Sequence, residues 1–377
     1  MRLLFSCTEL GLGHVSRVIP LGKKLGERGH ELFFFSGGTA YELLRREFEN
    51  VYPCTPVAWY ETSHGVMTSA SLLNILFPLP RYNHEQSRVE IKNPSAIETA
   101  HRYYDLRKHI LKIKPELIVS DGDMHALRLA HKWDIASVYV TNIIRPRYGF
   151  SPLLVPGERF TERYVKKCTK IIVPDNPCYT ICKYNLGDLD RLRIRAKVEF
   201  VGAFLDMTYE KGKEKHIFAS IAGPLGTRAK LTRMIIPVLS RLKSPSIVSL
   251  GKPTNQFSGI LGNCEIHGWL SEKRRYECMR NARIVIFSGG HGTCFEVIKH
   301  RKPSICVPTQ PEQMANAKKL SELKCSAYVE TEGQLRSAVE EIEENRESYK
   351  KNVKRISEYS SKFKGLDSAV EVIESIV

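Results

Sequence analysis

Two groups of residues have types and spacings suited to chemistry. The first is Phe287-Ser288-Gly289-Gly290-His291-Gly292-Thr293-Cys294-Phe295-Glu296, followed by Pro308-Thr309-Gln310-Pro311-Glu312-Gln313-Met314-Ala315-Asn316. Glycines at 289, 290 and 292 let backbone N–H groups approach an anion with no Cβ in the way, and a helix beginning near His291 adds unpaired amides and the positive end of its dipole. Such a turn suits phosphate. Glu296, on the first turns of that helix, and Glu312-Gln313, in the loop after the next strand, fall on the same edge. The second group is Glu9-Leu10-Gly11-Leu12-Gly13-His14-Val15-Ser16-Arg17. His14 follows two glycines at a strand-to-helix turn, where an imidazole of unperturbed pKa about 6.5 can act as a base, although the same placement also suits a capping or packing histidine. Asp121, at the exit of a strand, would hold such an imidazole in one tautomer; equally, it could cap the helix that follows. Asn142 ends the next strand in the same way.

These residues need a scaffold that gathers strand ends. Ile284-Val285-Ile286 reads as a buried strand running into the glycine turn, with a helix to Lys299 and a second strand over Lys302–Pro308, which makes a βαβ unit. Arg2–Cys7 is likewise a buried strand, and Val18, Ile19, Leu21 and Leu25 mark a helix closed by Gly29 before a strand over His30–Ser36. A dinucleotide fingerprint is not met, because Ser16 stands at the third glycine position and Ser36-Gly37-Gly38 replaces the acidic end of the second strand. After a polar linker, Asp206–Lys215, the pattern restarts with strand His216–Ala222 and the glycine loop leading to Thr227-Arg228. The spacing predicts an α/β protein with a Rossmann-like domain over residues 1–209 and another over 215–358. Ligands of open α/β sheets bind beyond the carboxyl ends of the strands, so Asp121 and Asn142 should face the same crevice as His14, and Glu296, Glu312 and Gln313 the edge that carries the glycine turn. A short helix is expected over Tyr276–Asn281, and from Gln334 onward two charged helical segments broken near Gly365.

Composition narrows the partners. A chain of 377 residues with 42% hydrophobic and 26% charged residues is that of a soluble two-domain protein. The net charge of +16 and pI of about 9.3 favour anionic partners: nucleotide phosphates, acidic headgroups or nucleic acid. With no aromatic-and-basic RNA signature, helix-turn-helix signal or zinc spacing, nucleic acid is not expected. The ten cysteines include no CxxC pair, so they read as reduced cytosolic thiols and no metal site is expected. Met1–Cys7 is too short for a signal peptide, and no apolar run reaches the roughly 20 residues that cross a bilayer. Residues 66–80 are uncharged and are followed by Arg81, Arg88 and Lys92. That stretch suits a membrane interface or the cover of an apolar acceptor, and also an ordinary core helix or lid. Arg145, Arg147, Arg159, Arg163, Lys166, Lys167 and Lys170 form a basic stretch, most simply solvated surface.

Taken together, Gly11-Leu12-Gly13-His14 and Gly289-Gly290-His291-Gly292-Thr293-x-x-Glu296, with Lys302-Pro303, Pro308, Glu312-Gln313 and Asn316, resemble the GT-B nucleotide-sugar glycosyltransferases. The similarity is to the MurG-like and UDP-glycosyltransferase branch; it spans nearly the whole chain, with the specific motifs in residues 262–320. The resemblance implies two Rossmann-like domains across a cleft, a C-terminal helix (359–377) crossing back to the first, and inverting transfer from a UDP-sugar to a lipid-linked or otherwise apolar acceptor at the cytoplasmic membrane face. It assigns His14 as base oriented by Asp121. Gly13 and the Ser288–Thr293 turn fall to the donor, Trp269 and Leu270 to its base, Glu296 to the ribose, and Glu312 and Gln313 to the sugar. Gly11, Arg17 and Asn142 fall to the acceptor. The helix dipole would replace a metal ion, so the UDP-sugar is a co-substrate and no cofactor is expected. Where related enzymes carry histidine or arginine this chain has Ser288, which leaves the phosphate contact to His291, Thr227 or Arg228. Glu312 replaces a glutamine of MurG and leaves the sugar open. The alternatives are a nucleotide-sugar 2-epimerase of the same fold and a non-catalytic protein binding nucleic acid or membrane.

Overall fold

The computed structural model describes residues 1–9, 12–57, 60–62, 65–66, 68–83, 88–148, 155–223, 225–252 and 256–376. In the first half, β1 (Arg2–Cys7), β2 (Glu31–Ser36) and β3 (Val51–Pro53) precede two antiparallel pairs, β4 (Glu61–Thr62) with β5 (Gly65–Val66) and β6 (Leu79–Asn83) with β7 (Arg88–Lys92). β8 (Leu117–Asp121), β9 (Ala136–Val140), β10 (Lys170–Val173) and β11 (Val198–Phe200) follow. Between them run α1 (Leu12–Glu27), α2 (Gly38–Arg45), α3 (Thr68–Leu73), α4 (Ser95–Ile113), α5 (Met124–Lys132), α6 (Val155–Val165) and α7 (Lys183–Leu186). Seven strands make a parallel sheet in the order β11-β10-β9-β8-β1-β2-β3. Parallel strands must be covered on both faces, which is why Leu3–Phe5 of β1 and Leu117–Val119 of β8 read as apolar runs. Their register pairs Cys7 with Asp121. The turn after β1 is therefore set beside the end of β8.

The second half has the same plan. β12 (His216–Ser220), β13 (Ser246–Ser249), β14 (Ser258–Leu261), β15 (Cys264–His267), β16 (Ala282–Phe287), β17 (Ser304–Cys306) and β18 (Ser326–Tyr328) form a sheet ordered β14-β15-β13-β12-β16-β17-β18, in which β14 alone runs antiparallel to its neighbour. Its helices are α8 (Leu225–Arg241), α9 (Glu272–Arg280), α10 (His291–Lys299), α11 (Pro311–Glu322), α12 (Glu332–Glu344) and α13 (Arg346–Ser360). One face of the sheet buries Phe218, Phe287 and Phe295 with Val353 and Ile356 of α13; the other buries Ile217, Ile284 and Ile305 with Leu231 and Ile235 of α8 and Leu335 of α12.

The last helix, α14 (Leu366–Glu374), leaves this domain. Its Ala369, Val370 and Ile373 enter the first core beside Val18, Leu21 and Leu25 of α1, while Lys24 pairs with Asp367 and His30 with Glu374. Each large apolar side chain so buried contributes about 1.5–3 kcal/mol, enough for the crossing to fasten the two halves.

Some boundaries differ from the sequence reading. α9 starts before Tyr276 because Ser271 caps it, accepting from the amide of Arg274. The charged C-terminal stretch forms three helices rather than two, with Asn345 (φ −105°, ψ 20°) breaking α12 from α13. Of the two acidic residues after β8, Asp123 is the one that caps α5, accepting from His125 N at 2.9 Å. Asp121 is left for other work.

Candidate active site

The turn after β1 and the end of β8 bring His14 and Asp121 together, with Nδ1 and Oδ1 2.6 Å apart. The approach depends on Gly122, whose φ is +79°: a Cβ there would lie 2.5 Å from Thr8 Cγ2 and 3.0 Å from His14 Cε1. One turn further along α1, Arg17 grips the same carboxylate through Nε (3.0 Å) and Nη2 (2.7 Å). Burial alone would raise the pKa of Asp121, but the charges of Arg17 and His14 and their hydrogen bonds outweigh it and hold the group ionised, below the usual carboxylate range. An ionised Asp121 accepts the Nδ1 proton of His14. Nε2 is then the basic nitrogen.

Arg17 also donates through Nη1 to Asn142 Oδ1 at 2.9 Å. Asn142 is 3% exposed, and its other end, Nδ2, donates to Glu312 Oε1 of the second domain at 2.9 Å. Arg17 and Asn142, which the resemblance assigned to the acceptor, thus commit these polar atoms to Asp121, to each other and to Glu312. Glu312 is held further by Asn316, whose Nδ2 lies 3.3 Å from Oε1 and donates to the carbonyl of Gly289 at 3.0 Å. Asn185 of α7 closes the joint, donating to Glu312 O and Asn316 Oδ1 at 3.1 and 3.0 Å.

The glycine turn stands at the C-terminal end of β16. Gly289 has φ +87°, and a Cβ there would meet the carbonyl of Gln313 at 2.8 Å. Gly290 caps α10, and nothing lies within 4 Å of a Cβ built at Gly290 or Gly292, so there is open space beside the start of the helix. His291 and Ser288 are buried. The His291 ring turns away to Asp175 of the first domain, Nε2 to Oδ2 at 3.1 Å, and packs edge-on against Phe295. What His291 presents at the helix start is its backbone amide. Thr293 is half-buried beside it.

Other expected donor residues flank this turn. Gln313 Oε1 accepts from Thr309 N and Oγ1, both at 3.0 Å, and the Thr309 hydroxyl reaches Thr227 Oγ1 at 3.2 Å, which ties α8 to α11. Arg228 donates to the carbonyl of Gly251. Trp269 is half-exposed and Leu270 buried just beyond β15. Gly13 is exposed with nothing within 4 Å of a built Cβ. Gly11 lies outside the described residues.

Sequence reasoning missed three participants. Arg275 of α9 donates through Nη1 and Nη2 to both carboxylate oxygens of Glu296 at 2.5 Å; in the sequence it sits in Lys273-Arg274-Arg275, which looks like solvated charge. Asp175 accepts from the amides of Asn176, Ile181 and Cys182 besides His291. With Cys182 and His291 it forms a buried trio whose ligand atoms lie within 4.8 Å of one another. Asp175's oxygens are already filled by amides, so these hydrogen bonds account for the trio as a clamp between the domains. Asn185 carried no signal, because its role appears only when the domains meet.

Comparison with known proteins agrees with this layout. The Glycosyltransferase family 28 C-terminal domain matches residues 273–369. An uncharacterized glycosyltransferase of Methanosarcina mazei is 24% identical over 394 residues, covering 99% of this chain and 97% of its own. The UDP-N-acetylglucosamine–N-acetylmuramyl-(pentapeptide) pyrophosphoryl-undecaprenol N-acetylglucosamine transferase of Clostridium tetani is 25% identical over 395 residues, covering 96% and 94%. The crystal structure of the calicheamicin glycosyltransferase CalG4 superposes with a TM-score of 0.70 at 15% identity, covering 99% of this chain and 97% of that one.

Proposed function

We propose that this chain, a glycosyltransferase of GT-B architecture, moves a sugar from a UDP-sugar to a lipid-linked acceptor with inversion at the anomeric carbon. In this reading the diphosphate rests on the amides at the start of α10, the ribose hydroxyls on Glu296, the base against the backbone at Trp269 and Leu270, and the sugar beside Glu312 and Gln313. An acceptor hydroxyl attacks the anomeric carbon from the face opposite the diphosphate. As that C–O bond forms, the bond to the diphosphate breaks and the hydroxyl proton passes to His14 Nε2. Asp121 stabilises the imidazolium. The amides and dipole of α10 stabilise the leaving charge, so no divalent cation is required.

The observation that carries this reading is the continuous run of contacts from His14 through Asp121, Arg17 and Asn142 to Glu312, which joins the base to the donor half of the cleft. A lipid-linked acceptor is supported by exposed apolar side chains before and within the β6–β7 pair: Leu73, Ile75, Leu76, Phe77, Val89 and Ile91. Asn74 joins the turn after α3 to the segment that follows β7, its side chain donating to Phe77 O and Asn93 O and its main-chain carbonyl accepting from Ser95 N. Lys92, one of the cations that follow residues 66–80, is buried and paired with Glu98 of α4 at 2.9 Å, so it is not offered to a membrane surface. Among the described residues no helix is long and apolar enough to cross a membrane, so contact at the cytoplasmic face would be peripheral.

The test is transfer from a panel of UDP-sugars to polyprenyl-linked acceptors by purified protein, with product stereochemistry read by NMR. Transfer with inversion that is lost in His14→Ala supports the reading. Retention of configuration, or turnover of the donor to its 2-epimer without acceptor, overturns it.

A further inference from the structure

The pair Arg275–Glu296 poses a problem for the donor reading above, on which this inference rests. A vicinal diol binds a carboxylate by donating to the two oxygens on their shared face. In this structure that fork is filled by the two parallel N–H donors of Arg275, the geometry in which guanidinium and carboxylate fit best. The ribose and the guanidinium therefore compete for one site. Both side chains reach the cleft surface, Arg275 at 30% and Glu296 at 28% exposure. Burial works against the charge on Arg275, and Glu296 more than restores it. Beyond Glu296, the guanidinium makes a long contact, Nη2 to Ser220 Oγ at 3.5 Å.

A guanidinium displaced from Glu296 would be a half-buried cation without its counter-ion, which is costly unless another anion arrives. A nucleoside brings none. A nucleoside diphosphate brings its own, and it would place it on the amides of Gly292 and Thr293, one turn of α10 (about 5.4 Å) from Glu296. That is also where Ser288 leaves no side-chain cation, and where His291 has turned to Asp175.

We propose that Arg275 is a donor-binding residue held on Glu296 until the nucleotide arrives, whereupon it exchanges the carboxylate for the diphosphate and frees Glu296 for the ribose. The exchange makes the two ends of the nucleotide interdependent. The diphosphate draws Arg275 off, and only then is the diol site complete. Affinity should therefore rise steeply from uridine to UDP, and Arg275 should act with opposite sign at the two ends.

The experiment is isothermal titration of wild type, Arg275→Met, Arg275→Lys and Glu296→Gln with uridine, UDP and inorganic pyrophosphate at low ionic strength, with ligand-free melting curves to confirm folding. Arg275→Met is expected to bind UDP at least tenfold more weakly while binding uridine as well as wild type or better; Arg275→Lys, keeping a charge, should recover part of the UDP affinity. Glu296→Gln, with its guanidinium released, should bind pyrophosphate several-fold more tightly. Parallel losses for uridine and UDP in Arg275→Met would make the residue a packing element, and parallel gains would make it a competitor alone; either overturns the proposal. Should Arg275→Met fail to fold, unchanged pyrophosphate affinity in Glu296→Gln overturns it by itself. If wild type binds neither uridine nor UDP, the donor reading falls first and this inference with it.

Discussion

Asn142 and Glu312 meet across the two sheets, the amide Nδ2 beyond β9 donating to the carboxylate Oε1 on α11 at 2.9 Å. Asn142 also accepts from Arg17, which holds Asp121. Asp121, which holds the His14 ring, and Glu312 of the second domain are thus linked through Arg17 and Asn142. A hydrogen bond to a charged group is worth about 1.5–3 kcal/mol, or roughly 10–150-fold in rate if the transition state needs it. Asn142→Ala should lower kcat/KM for the donor by about that factor. Asn142→Asp, of the same shape, sets a carboxylate against Glu312 and should lower it further; steady-state kinetics with the preferred UDP-sugar decides. Activity equal to wild type in both variants would separate the domain contact from catalysis.

His14→Ala removes the proposed base and should cut turnover by about 10²–10⁴ with donor KM little changed. Asp121→Asn keeps the shape but loses the carboxylate that fixes the tautomer and holds Arg17, and a loss of up to about 10⁴-fold is expected. Initial rates at saturating donor, compared with UDP binding in the same variants, distinguish chemistry from affinity. The proposal fails if transfer falls only as far as binding does.

Much of this is legible in the sequence. The βαβ period and the glycine turn at 289–292 place β16 and α10, because a strand ending in glycines before a helix has few other structures open to it. The His14–Asp121 pair is legible in the same way, since both lie at strand ends of one parallel sheet. What cannot be read is direction. Nothing in His291 announces that its ring turns to Asp175, nor in Lys92 that Glu98 will bury it, because these choices depend on partners 116 and 6 residues away that compete for the same side chain. Arg275 is the same case: a helix surface reads as solvated until the opposite helix is packed against it.

Acid should weaken the second domain before its carboxylates titrate. The His300 imidazole is buried against the Tyr276 ring, and burial first, then the charges of Lys299 and Lys302, lower its pKa from 6.5 to about 4, with Glu296 and Glu210 opposing. The unfolded chain takes the proton near 6.5 and the folded one only near 4, so the stabilising difference is complete above pH 6.5 and is lost as pH falls towards 4. At about 1.4 kcal/mol per pH unit the loss is on the order of 3 kcal/mol. Urea unfolding at about pH 7, above that window, and at about pH 4.5, near its lower end, should show most of it. His300→Gln, with no proton to take up, should have the flatter profile; equal slopes in the two proteins would refute the assignment.

The apolar patch makes the last prediction. Leu76 is 70% and Phe77 59% exposed in the turn after α3, and Ile91 is 74% exposed on β7. Isolated apolar side chains on a surface are ordinary, but several close together in the chain are not, and at a bilayer each would contribute about 1.5–3 kcal/mol by burying its apolar surface. The sequence's net charge of +16 adds a long-range attraction to acidic lipid that salt weakens. The two contributions can be separated. Leu76→Ser with Phe77→Ser should weaken binding to vesicles of phosphatidylglycerol and phosphatidylethanolamine, read by cosedimentation, by about two orders of magnitude or more at any salt concentration, with an unchanged melting midpoint because neither side chain is in the core. Raising salt should weaken wild type and variant in parallel. If the double variant binds vesicles as wild type does, charge alone accounts for attachment, and the patch has no part in reaching a lipid-linked acceptor.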